Sequence, residues 1–177
     1  PLAVDDTFAA GEDDGAAIMG NAILGNDTDS DGDALTASTQ VDVAGTHGGL
    51  FTIDLAGNVT FDPNGQFEDL AAGETRQTSF TYTLVDADGA TSSATVTVTV
   101  TGANDAPVIV GAIPDQADKD SESVSIDVST FFEDVDQSDA LVFAATGLPA
   151  GLAIDPQTGV ISGTLSSSAS VGGPYQI

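Results

Sequence analysis

Residues 94–101 read Ala-Thr-Val-Thr-Val-Thr-Val-Thr, an unbroken alternation of small or β-branched side chains. A period of two puts every valine on one face, so the segment predicts a strand with one buried and one wet face. Residues 79–85, Ser-Phe-Thr-Tyr-Thr-Leu-Val, repeat the pattern. Between them Asp86-Ala-Asp-Gly89 is a turn signal, and the two strands form a hairpin. Phe51–Asp54 and Asn58–Phe61 flank Leu55-Ala-Gly57 as a second hairpin. Val4–Ala9, Ala16–Leu24 and Ala34–Val43 supply further strands, and no segment carries a helical period. About seven short strands in ~100 residues predict a Greek-key β-sandwich.

The pattern restarts after Asn104-Asp-Ala-Pro107, where proline forbids a ladder donor. Val108–Ile113, Ser123–Val128, Ala140–Ala145, Leu152–Ile154 and Val160–Ile161 give a second set of strands. An acidic loop, residues 133–139, lies between the second and third of them. The expected fold is all-β, with two tandem sandwiches at residues 1–103 and 104–177. The second breaks off where a strand starts at Pro174–Ile177, so a final hairpin is expected to be missing and the chain to be a piece of something longer.

Charge narrows the function. The chain holds 28 Asp and Glu against two basic residues, Arg76 and Lys119, for a net charge of −26. Two cations cannot neutralise a phosphate backbone, which excludes nucleic acid as a partner. The same sign excludes an anionic lipid surface. No apolar run approaches the ~20 residues that cross a bilayer, and no signal peptide is visible. Hydrophobic residues make up 41%, too many for a disordered acidic tail. Without cysteine and with one histidine, His47, neither a disulfide scaffold nor a thiolate or multi-His metal site can form. His47 has no nucleophile in a recognisable setting and reads as a surface loop residue.

The acids cluster in loops between strands. Asp27, Asp29, Asp31 and Asp33 alternate through one short loop, where like charges need a counter-cation. Hard oxygens at this spacing suit Ca²⁺ better than Mg²⁺, which demands a tight octahedron. The EF-hand alternative fails, because Ser38 stands where a bidentate Glu is needed and strands flank the loop. A solvated Asp-rich turn is the plainer alternative. Sandwich topology should gather Asp5, Asp6, Asp27–Asp33, Asp86 and Asp88 at one end. The other end should collect Glu12, Glu68 and the exit Asn104-Asp105. The second domain's Asp134, Asp136 and Asp139 should meet that exit.

In combination, Val4-Asp-Asp6, the segment Gly25–Leu35, Leu70–Glu74, Phe80–Gly89 and Gly102–Pro107 resemble a bacterial cadherin-like repeat of the VCBS type. Residues 104–177 are similar to the dystroglycan-type cadherin-like domain, on Ile113–Gln116, Phe132–Asp136, Leu148–Leu152, Asp155–Gly159 and Ile161–Thr164. The resemblance implies tandem modules of a large RTX-type surface adhesin, interdomain calcium, an extracellular or cell-surface location, and adhesion or biofilm roles. It implies neighbouring domains of the same chain as partners, with a cell-surface or glycan target reached through another domain. Asn104-Asp105 looks like the cadherin connector motif, Asp134-Val-Asp136 like the next domain's Asp-x-Asp, and Glu12 like the early-strand Glu. The last hairpin of the second domain, with its loop acid, departs from the pattern by its absence.

The leading reading is therefore a non-enzymatic, calcium-stiffened extender. Paired acids for glycoside hydrolysis are conceivable, but they sit in turns and aromatics are only 6%. The rivals are a calcium-dependent glycan- or protein-binding module and an accessory module of a secreted enzyme.

Overall fold

The computed structural model describes residues 1–19 and 23–168. The chain forms two compact units: Pro1–Asp105 with Asp136–Ser138, and Ala106–Val135 with Asp139–Ile177. Every regular element among the described residues is a strand or a single 3₁₀ turn.

Unit 1 holds β1 (Asp6–Gly11), β2 (Ala17–Ile18), β3 (Thr36–Ala37), β4 (Gln40–Ala44), β5 (Leu50–Ile53), β6 (Val59–Asp62), β7 (Thr75–Val85) and β8 (Thr91–Thr101). One sheet runs β1-β8-β7-β3 and the other β2-β6-β5-β4. The chain changes sheet four times, between β1 and β2, β2 and β3, β3 and β4, and β6 and β7, which makes this a Greek-key sandwich. The β7–β8 hairpin is its spine, in register from Thr75↔Thr101 to Val85↔Thr91. The alternation read from the sequence points Phe80, Tyr82, Leu84, Val96, Val98 and Val100 inward, all buried. They meet Phe51, Ile53, Val59 and Phe61 from the facing sheet. Phe51 stacks on Phe80 with centroids 4.5 Å apart and tilts against Phe61 at 4.8 Å. Each such buried side chain contributes roughly 1.5–3 kcal/mol.

Unit 2 holds β9 (Val108–Ile109), β10 (Ser123–Asp127), β11 (Phe132–Glu133), β12 (Leu152–Ile154) and β13 (Val160–Thr164). They form a β10-β13-β12 sheet and a β11-β9 pair. Val124, Val128, Ile161 and Leu165 are buried. A cavity of about 340 Å³ lies among apolar side chains that include Ile113, Val128, Phe132, Phe143 and Leu148.

Several expected strands change. Val4–Ala9 shifts to Asp6–Gly11. Ala16–Leu24 pairs only at Ala17–Ile18; Ile23 sits in a 3₁₀ turn, its N–H on the Gly57 carbonyl at 2.9 Å and its side chain in the core. Residues 20–22 of that expectation lie outside the described residues. Ala34–Val43 is not one strand but two, β3 and β4, on opposite sheets. The chain crosses between the layers there, and a bulge at Asp42, with φ of 50°, irregularises β4. Val108–Ile113 shortens to two residues. Ala140–Ala145 forms no strand: Phe143 donates one backbone bond to Pro156 at 2.8 Å and packs its ring on Phe132. Half-buried alternation without a neighbouring ladder does not make a strand. The expected strand start at Pro174–Ile177 lies outside the described residues.

Candidate metal centres

At one end of unit 1 the entry to β1, the Asp27–Asp33 loop and the Asp86–Gly89 turn come together. Asp27 Oδ1 accepts the Val4 N–H at 2.8 Å, and Asp5 Oδ1 accepts the Thr95 N–H at 2.8 Å. The Tyr82 hydroxyl lies 3.1 Å from Asp27 Oδ2, 3.4 Å from Asp6 Oδ2 and 3.3 Å from the Val4 carbonyl. One hydroxyl proton thus faces an excess of acceptors. Burial, then the charge of Asp27, pushes the Asp6 carboxyl up. Burial and hydrogen bonding to Asp27 push the Tyr82 phenol up as well.

Asp29 is engaged differently. Its Oδ1 accepts the Asp31 and Asp33 N–H groups at 2.8 and 3.2 Å, across a loop whose Gly32 adopts φ of 80°. The Pro1 nitrogen lies 2.9 Å from Asp29 Oδ2 and 3.9 Å from Asp86 Oδ2, so the chain's entry sits against both the acidic loop and the turn. Asp86 Oδ1 closes its turn on the Asp88 and Ala90 N–H groups at 3.0 and 2.8 Å. Asp31 and Asp88 are exposed and Asp33 is half-buried.

The opposite end is drier. Glu12, 3% exposed, follows β1 with its N–H on the Thr101 carbonyl at 3.0 Å. Its Oε1 accepts the Ala103 N–H at 2.6 Å, while its buried Oε2 has no hydrogen-bond partner. Burial raises the Glu12 carboxyl, the Ala103 N–H opposes this, and the charges of Glu68, Asp105 and Asp13 raise it further. Asp136, 1% exposed, accepts the Asp105 N–H at 3.0 Å on Oδ2. Asp105 Oδ2 is also buried without a hydrogen-bond partner. The Asn104 amide donates to the Asp105 carbonyl at 2.6 Å. Asp69, beside Glu68, is taken by Arg76 in a two-pronged pair at 2.7 and 2.9 Å, with the guanidinium 5.9 Å over the Phe67 ring.

Unit 1 thus brings Asp5, Asp6, Asp27, Asp29 and Asp86 to one end, and Glu12, Glu68, Asn104, Asp105 and Asp136 to the other. Asp134 and Asp139 belong to unit 2. Tyr82 is a neighbour of these acids that strand periodicity does not single out; its signal is a tyrosine among buried strand positions, whose hydroxyl must find a partner. Among the described residues no three His, Asp or Glu side chains converge closely enough to hold an ion as they stand. The donor chemistry nonetheless fits Ca²⁺: the groups are all hard oxygens, and buried carboxylate oxygens without donors, as on Glu12 and Asp105, call for a cation.

The bacterial cadherin-like domain family matches residues 1–102. The family described as "Putative Ig domain" matches residues 106–177. No curated protein matches. Among solved structures the chain is similar to Drosophila N-cadherin EC1-4, at 16% identity and a TM-score of 0.52, over 92% of this chain and 40% of that one. It is similar as well to the protocadherin GammaB4 extracellular domain, at 16% identity and a TM-score of 0.53, over 92% of this chain and 28% of that one. The chain therefore spans less than half the length of either, and at this identity the likeness is one of fold. With the family matched across the whole of the first sandwich, the chain belongs to the bacterial cadherin-like domain family.

Proposed function

We propose that this chain is a calcium-rigidified extender of a large bacterial extracellular adhesin of the RTX type, built from a VCBS-type module at 1–103 and a dystroglycan-type module at 104–177. The observation that carries the reading is the pair of buried, donorless oxygens on Glu12 and Asp105, in a chain of net charge −26. Glu12, Glu68, Asn104, Asp105 and Asp136 would hold calcium at the exit end of the first unit, and Asp134 and Asp139 are candidate ligands carried by the second. Asp5, Asp6, Asp27, Asp29, Asp31, Asp33, Asp86 and Asp88 would hold it at the far end of the first.

Bound calcium supplies positive charge and open coordination to oxygens that otherwise repel one another. The chain's own part is to fix those oxygens: the Ala103 N–H holds Glu12, the Asp105 N–H holds Asp136, and the Asp31 and Asp33 N–H groups hold Asp29. Extracellular calcium modules work at dissociation constants of about 10⁻⁴–10⁻³ M, which suits an extracellular module. Its partners are neighbouring domains of the same chain, and any cell-surface or glycan target is met through another domain. The glycan-binding alternative gains no support from Phe51, Phe61, Phe67, Phe80 and Tyr82 of unit 1, which are buried in its core.

Small-angle scattering of the 177-residue chain tests the reading. The maximum dimension should be larger and the profile stiffer in calcium than in chelator; an identical pair of profiles would sink the rigidification.

A further inference from the structure

Unit 1 begins and ends on neighbouring strands. β1 lies parallel to β8 through six register pairs, Asp6↔Val96 to Gly11↔Thr101. Both strands therefore start at the end that carries Asp6 and finish at the end that carries Gly11 and Thr101. Side-chain bonds prolong the pairing beyond the ladder. The Ala3 N–H reaches Ser92 Oγ at 3.1 Å and the Thr95 N–H reaches Asp5 at 2.8 Å. At the other end Glu12 bonds Thr101 at 3.0 Å through its N–H and accepts the Ala103 N–H at 2.6 Å.

β8 is the anchored member. Its other edge is bonded to β7 from Thr91 to Thr101, and its valines are in the core. β1 is held by β8 and by Phe8 and Ala10, which pack against that core. Tension on unit 1 draws the start of β1 one way and the end of β8 the other. On a parallel pair those pulls lie along the strands in opposite senses. One strand must slide past the other, so the ladder bonds share the load and fail together. A pull applied across the start of both strands opens the same bonds one after another.

We propose that the β1–β8 pair is a tension-bearing latch, through which unit 1 resists force between its first and last residues by shear. The biological purpose rests on the extender reading, but the geometry does not depend on metal.

Single-molecule force spectroscopy on the full chain tests it. The chain has no cysteine, so an introduced one is a unique handle. An N-terminal handle paired with Ala106→Cys loads β1 and β8 in shear. The same N-terminal handle paired with Ala90→Cys, just before β8, peels them apart. The shear rupture force should exceed the peeling force several-fold, in calcium and in chelator alike. Equal forces, or a shear force that falls to the peeling value in chelator, would overturn the latch.

Thr7→Pro and Ala10→Pro stand at opposite parities on β1, so one of them removes an N–H that faces β8. That variant should at least halve the shear force, and two variants as strong as the parent would also overturn the latch. The two-geometry comparison leaves β1 native and decides the matter even if a proline variant fails to fold. Scattering that ignores calcium would sink the rigidification and leave the force comparison standing. Equal forces would sink the latch and leave calcium binding standing.

Discussion

Glu12 concentrates the electrostatic problem of unit 1 in one side chain. A carboxylate that is 3% exposed, with one oxygen bonded to Ala103 and the other to nothing, is destabilised by its own charge. Its pKa is raised, first by burial, so the folded state holds the proton more tightly than the unfolded chain. The stability linked to that proton is complete below the ordinary Glu value and is lost as pH rises through the raised one. In chelator, Glu12→Gln should therefore be more stable than the parent above that pH. The gain should be about 1–3 kcal/mol, the cost of a buried polar group left without a partner. The gap should close as the solution is acidified. In saturating calcium the sign should reverse, because the variant loses a charged ligand. Calorimetry at several pH values in both media checks this, and a variant with the same sign in both would argue against a cation at Glu12. Asp31 offers the converse case. It is exposed, and Asp31→Ala in chelator should fall within about 0.5 kcal/mol of the parent. In calcium it should melt measurably lower, and equal losses in the two media would point to packing instead.

At the scale of elements, the β7–β8 hairpin does two jobs with one alternation. Its inward side chains build the core, and one of them, Tyr82, carries a polar end to Asp27, Asp6 and Val4. That ties the β1 entry and the acidic loop to the spine. Tyr82→Phe keeps the ring and removes a hydrogen bond to charged groups, a loss of about 1.5–3 kcal/mol. The midpoint of denaturant unfolding should drop while its slope stays fixed, since the surface exposed on unfolding is the same. An unchanged midpoint would mean that the hydroxyl contributes nothing net. Arg76 shows the reverse allocation. It gives its whole guanidinium to Asp69, which removes that acid from the neighbouring cluster and stabilises the Asp69 carboxylate.

For the whole molecule the governing quantity is the net charge of −26. Exposed carboxylates repel one another across distances that salt screens within about 10 Å at 0.1 M. Buried ones are screened far less. In chelator the melting temperature should rise with added salt. Calcium at a hundredfold excess over its dissociation constant adds about 2.7 kcal/mol per site. The melt should then climb by much more than an equal ionic strength of sodium chloride produces. A melt that ignores chelator would count against sites in the folded state.

Periodicity is a property of the local chain, and it was enough to locate β5 to β8, β10, β12 and the all-β class. The alternation of Ala94–Thr101 admits no other buried face, and Asp86–Gly89 closes the turn without help from distant residues. The run Ala34–Val43 divided between two sheets because strand identity depends on which neighbour supplies the ladder, and that neighbour comes from far along the chain. Ala140–Ala145 carries the pattern of a strand yet finds no ladder, for the same reason. The acids were visible as a list, and their grouping at two ends of a sandwich followed from topology. What each carboxylate faces did not: Asp69 lies beside Glu68 in sequence but pairs with Arg76, and Glu12 is buried beside Asp105, more than ninety residues away. Hydrogen-bond partners and desolvation are set by long-range packing. Local alternation and composition suffice to make this chain a charged, stranded sandwich; which oxygens are satisfied and which are left without a donor depends on what else occupies the same space, and that is settled by packing between distant segments.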